Sequence, residues 1–152
     1  MRFARSLACL AAALTAVALA PSPAQAATGW GPYHAPGKLA KAAGTLKITG
    51  EDHADLPVAR TATVKGYVTD LARPKGACGW LVLQFAVRKG SNFVYKQHPV
   101  RDCSYRSKKS FTATYHDVYQ VELKVCAGRR TAKPSIECLA GGTWKILYTS
   151  PH

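Results

Sequence analysis

Glu51, Asp52, His53 and Asp55 crowd one short stretch between Gly50 and Pro57. Carboxylates and an imidazole that close in sequence could hold a metal or exchange a proton. The stretch lacks the glycine and distal glutamate of a calcium loop. No second motif completes a site, so a solvated acidic loop is the plainer reading. His98 and His116 form a second set, with Arg101, Lys108 and Lys109 near them in sequence. A secreted cationic nuclease needs an acid–base pair, often two imidazoles or a glutamate and an imidazole, beside a cation for the phosphate. Yet His98 precedes Pro99, and His116 falls on the polar face of its segment, so each is more simply a solvated side chain. No Gly-x-Ser-x-Gly elbow and no glycine-rich phosphate loop occurs; Gly141-Gly142 reads as a turn. Nothing marks a pair among the eight acidic residues as glycosidase chemistry would require. The sequence therefore offers no catalytic residue, no metal site and no cofactor.

The cysteines say where such a chain works. Arg2 and Arg5 precede an apolar run from Leu7 to Ala20, and Ala24-Gln25-Ala26 has the small-x-small form of a cleavage site. The run is shorter than the roughly 20 residues that span a bilayer. Residues 1–26 are expected to be a secretory signal peptide, removed after Ala26, with no transmembrane segment elsewhere. Cys9 leaves with that peptide. Cys78, Cys103, Cys126 and Cys138 remain, an even set in an exported chain, and point to two disulfides. A zinc site is disfavoured, because no Cys-x-x-Cys occurs and no histidine sits at ligand spacing from a cysteine. The expected location is extracellular.

Charge supplies the functional hint. Removing Arg2 and Arg5 leaves 19 basic residues against 8 acidic ones, a net charge of about +11. Bases thicken in three loops: Arg73 with Lys75; Arg101 with Arg106, Lys108 and Lys109; and Arg129, Arg130 with Lys133. Such charge attracts polyanions by counterion release and long-range steering. Outside a cell the candidate partners are an anionic cell-wall polymer, an acidic polysaccharide or nucleic acid. The competing view is that the charge only keeps the protein soluble. A further alternative is an inhibitor or toxin that presents the loop Ala127 to Glu137 to a protein target.

These residues need a scaffold, and the pattern is β throughout. Ser110 to Cys126 reads as two strands around a tight corner. Phe111, Ala113 and Tyr115 share one face before it, and Tyr119, Val121, Leu123 and Val125 share one after it. Ala59 to Leu71 alternates in the same way. Cys78 to Val87 is apolar on both parities, as a central strand would be. If Arg88 pairs with Phe93 across a turn, partner numbers sum to 181 and Cys78 falls opposite Cys103. Pro99 then lies in that ladder and cannot donate, so the returning strand is expected at an edge or bulged. Cys126 and Cys138 would close the base of a hairpin. Cys78–Cys103 with Cys126–Cys138 is thus the expected pairing among three possible ones. Trp144, Ile146 and Tyr148 alternate along a last strand.

Ala27 to Gly37 is rich in glycine and proline and reads as irregular, with Trp30 and Tyr33 as surface anchors or an aromatic patch. Lys38 to Ala43 reads as one helical turn, and Thr45 to Thr49 as a short edge strand. The expected organisation is an irregular segment over 27–58 and a domain over 59–152. Short strands, frequent turns and a Tyr119 placed just after a corner make the chain resemble immunoglobulin-like folds in architecture, over roughly residues 60–149. The expected fold class is all-β: an immunoglobulin-like antiparallel β-sandwich of about seven strands with two hairpin-stapling disulfides. The expected function is that of a non-enzymatic secreted or envelope-associated binding domain.

Overall fold

A computed structural model describes residues 26–73 and 76–151. The expected signal peptide and its Cys9, together with Pro74 and Lys75, fall outside those residues, apart from Ala26 itself. Among the described residues no helix is long and apolar enough to cross a membrane. The strands are β1 (Thr28–His34), β2 (Ala40–Glu51), β3 (Ala59–Asp70), β4 (Ala77–Lys89), β5 (Asn92–Asp102), β6 (Lys109–Arg129) and β7 (Lys145–Thr149). One short helix, α1 (Ile136–Ala140), joins the last two. The class is all-β, the seven strands form an antiparallel sheet in the order β1-β2-β3-β6-β4-β5, and β7 also pairs with β6.

β6 makes the sheet into two facing layers. Its first half pairs with β3 and its second half with β4; Val118 is opposite Ala59 in one ladder and Val87 in the other. The expected corner is therefore a bend within one strand. Asp117 takes φ 55°, and the β4–β6 register shifts between Ala86 and Val87, leaving Tyr119 as the extra residue. A bulge bends a strand and strengthens its twist. The two halves of β6 thus run to the bend and back, and the layers close on one apolar core. Ala62, Val64 and Ala113 come from one side, and Leu81, Leu83, Phe85, Val121 and Leu123 from the other. The Phe85 and Tyr115 rings stack across the gap at 4.2 Å between centroids.

The β4–β5 ladder runs in the expected register without a shift, with Arg88 opposite Phe93 and Val82 opposite Pro99. β5 is an edge strand, which is where a proline without an N–H belongs. Cys78 and Cys103 are bridged, with Cα atoms 4.2 Å apart. Cys126 and Cys138 are bridged as well, but the second bridge ties the end of β6 to α1, where the sequence reads as a plain loop. Ser135 caps α1 by accepting the Cys138 N–H. The outer face of β4 carries a second small cluster: Trp80, Val82, Cys78, Cys126 and Cys138, covered by Leu139 and Trp144. That is why β4 is apolar on both parities.

The N-terminal segment departs from expectation. Residues 28–51 are neither irregular nor helical from Lys38 to Ala43. A 3₁₀ turn at Pro36–Lys38 links two full strands of the sheet, and β1, not β2, is the edge. The boundary expected at residue 58 therefore falls inside the fold. Trp30 is only 7 % exposed and lies in the core. Its indole covers Gly44 and Gly66, which face each other in the β2–β3 ladder. A Cβ at either glycine would meet Trp30 Cζ2 at 2.7 or 2.8 Å. The glycines make room for the ring, and the ring replaces the side chains they lack. In the last strand the expected alternation is only partly kept: Tyr148 packs on the core with Leu147, while Ile146 is exposed.

Candidate functional site

The three basic loops, far apart in sequence, meet at one end of the molecule. Ala40 is opposite Asp70, Val68 opposite Lys109, Gly79 opposite Asp102 and Ala77 opposite Arg129, so these strand ends coincide. Hydrogen bonds lace the loops together. The Arg106 N–H donates to the Asp70 carbonyl at 2.7 Å, and the Arg130 N–H to the Gly76 carbonyl at 2.9 Å. The Arg101 guanidinium donates to the Thr131 carbonyl. Arg73, Arg101, Arg106, Lys108, Lys109, Arg129, Arg130 and Lys133 are all exposed there.

Aromatic rings are interleaved with these cations. Arg73 Nε donates to the Tyr105 hydroxyl at 3.3 Å, while Arg106 lies over the Tyr105 ring at 5.2 Å. The Arg73 guanidinium, helped by the charge of Arg106, lowers the Tyr105 phenol below its ordinary value. Lys108 Nζ sits 4.7 Å from the Tyr67 ring centre, and Arg101 5.6 Å from that of Trp80. Such ring contacts hold a cation in place without neutralising it.

Two buried acids, missed in the sequence, shape the loops. Asp102 accepts the Ser104 N–H and the Ser107 hydroxyl, and it reaches across the layers to the Asp70 N–H. Asp70 accepts the Ala72 N–H. Both bonds to the residue two positions on are Asx turns, which fix how each loop leaves its strand. Burial raises the Asp70 carboxyl above its usual value, the charge of Asp102 raises it further, and the Ala72 N–H opposes both. The only sequence signal was an aspartate at the end of each strand, each just before a turn.

The acidic loop is at the far end. Asp52 pairs with Arg88 at 2.8 Å and accepts the Val58 N–H. The Val58 N–H and then the Arg88 guanidinium lower its carboxyl below the ordinary value. Glu51, Asp55 and Asp117 lie at the same end. Among the described residues no three His, Cys, Asp or Glu side chains group as a metal site would. His98 and His116 are not brought together. His98 faces inward with its ring 6.5 Å from Phe111, whereas exposed His116 contacts the Thr61 hydroxyl and the Arg60 carbonyl on an outer face.

The chain matches no family model, no curated protein and no solved structure. The chemistry of the basic end follows from its own residues.

Proposed function

We propose that the protein is a secreted, non-enzymatic binding domain, held to an extracellular anionic polymer by its basic end. The observation that carries this is the convergence of three separate basic loops, with Glu51, Asp52, Asp55 and Asp117 gathered at the opposite end. Exposed guanidinium and ammonium groups at fixed spacing release counterions from a polyanion on binding. The partner class is an anionic cell-wall polymer, an acidic polysaccharide or nucleic acid, and the shared chemistry is a repeated negative charge. Two disulfides and the leader-like N-terminus support an oxidising, extracellular setting. A nuclease pairing His98 with His116 is the weaker reading, because they lie on different faces; one using either histidine with a carboxylate is the alternative that incubation with RNA and DNA addresses.

Elution from immobilised polyphosphate across a salt gradient tests the attachment. Retention should fall steeply with salt, and retention unchanged at about 1 M salt would contradict it. Incubation of the disulfide-intact protein with RNA and DNA tests the second half of the reading. Intact substrate is expected; cleavage that His116→Ala or His98→Ala removes would replace the proposal with the nuclease.

A further inference from the structure

A cavity of about 500 Å³ lies beside β6, between the β1–β2 connection and the α1 loop, next to the basic end, where the charge of Arg129 reaches Glu137 in its wall. Its walls mix apolar residues, including Ala35, Pro36, Leu39 and Ala127, with the charged Lys124, Glu137 and Lys145. That volume is within the range of about 300–1,000 Å³ seen for small-molecule sites. Lys124 lines it and is only 3 % exposed. Its Nζ donates to the Leu139 carbonyl at 2.7 Å and lies 5.3 Å from the Trp144 ring centre. An ammonium has three donors, and one carbonyl and one ring face leave capacity over. Among the described residues the only ion pair is Arg88 with Asp52, so Lys124 has no carboxylate. Glu122, on the same face of β6, is taken by the Gln84 and Gln120 side-chain amides. A buried charge calls for a counter-charge.

The strand itself offers donors at the same place. β7 pairs with β6 only from Gln120 to Leu123. From Lys124 to Gly128, β6 has β4 on one side and, among the described residues, no strand on the other. Alternate N–H groups along such an edge are available to a ligand. Glu137 also lines the cavity, and the Ser135 hydroxyl holds its carboxyl below the ordinary value. Exposed Lys145 lines the cavity as well and offsets Glu137, so the one buried cation, Lys124, calls for a single negative charge.

We propose that this cavity binds a small, mainly aliphatic molecule through one carboxylate, with Lys124 as its counter-cation. Its cation, Lys124, belongs to none of the three basic loops, although Arg129 of the third loop acts on Glu137 in the cavity wall. Titration of the ¹⁵N-labelled protein with N-acetyl-L-leucine, its neutral amide and inorganic phosphate tests it. The acid should shift the Lys124–Ala127 amides saturably, and the neutral amide should bind at least about tenfold more weakly. Lys124→Met should abolish the response in a protein whose spectrum shows it folded, and Lys124→Arg should keep it. If Lys124→Met does not fold, the contrast between acid and amide on the native protein decides. No saturable shift up to about 50 mM acid overturns the proposal. So does an equal response to the amide, a stronger response to phosphate, or shifts confined to Arg106 and Lys108.

Discussion

Asp70 and Asp102 bring negative charge beneath the most basic surface of the molecule, and the two should respond oppositely to losing it. The folded carboxyl of Asp70 lies above its unfolded value, because burial and Asp102 disfavour the anion. Its ionisation therefore costs stability at neutral pH, and the cost disappears as pH falls through the folded value to below the unfolded one. Asp70→Asn keeps an oxygen for the Ala72 N–H and drops the charge. Thermal unfolding should show a higher Tm for the variant at neutral pH, with the difference gone below about pH 3. Asp102 uses both oxygens as acceptors. Asp102→Asn turns a donor toward another donor and should cost about 1–3 kcal/mol in urea unfolding. Gly44→Ala belongs to the same scale: its Cβ would run into the Lys65 carbonyl oxygen of the facing strand before it reached the Trp30 ring, and a loss of at least about 1–3 kcal/mol is expected by the same measurement. None of these roles was visible in the sequence. An aspartate before a loop looks the same whether buried or solvated, and a glycine in a strand does not name the ring that covers it.

The elements were legible where side-chain alternation was strong. The β4–β5 register followed from one assumed turn, and Pro99 marked its own strand as an edge. The alternation on either side of the β6 bend showed a corner, but it could not show that one strand continues through the bend and changes partners. β1 and β2 were missed for a compositional reason. Glycine, proline and alanine dominate Ala27 to Gly44, and small residues hide a period of two even where a strand forms. Trp30 was the recoverable clue, since a large aromatic among glycines is a common way to complete a sheet. Truncation to residues 59–152 should therefore fail to fold, losing β1, β2 and Trp30 from the core; a cooperative unfolding transition in that fragment would contradict the assignment. Replacing Cys78 and Cys103 by alanine removes a bridge across 25 residues. Loop-closure entropy sets the expected loss at about 3 kcal/mol, read as a lower urea midpoint with a steeper slope, because the unlinked denatured chain exposes more surface.

Charge on the whole molecule is arranged by topology rather than by sequence order. Arg73 and Arg106 sit in two different loops and Arg129 at the end of β6, and only the coincidence of β3, β5 and β6 ends brings them to one end of the molecule. Composition announced an attraction to polyanions; it could not say whether the charge was diffuse or gathered. Lys124 was hidden in the same way, since a lysine on the polar parity of a strand gives no sign that a helix and Trp144 will cover it. The most direct test compares two triple variants of equal net charge on immobilised polyphosphate. One carries Arg106→Glu, Lys108→Glu and Arg129→Glu at the basic end; the other carries Lys47→Glu, Lys89→Glu and Lys96→Glu away from it. Attachment through the basic end predicts that the first elutes at much lower salt, its log–log salt slope reduced by about one for each phosphate no longer neutralised, while the second stays near the native protein. Equal weakening in both variants would mean that net charge alone holds the protein to the polymer, and the basic end would have no special part in it.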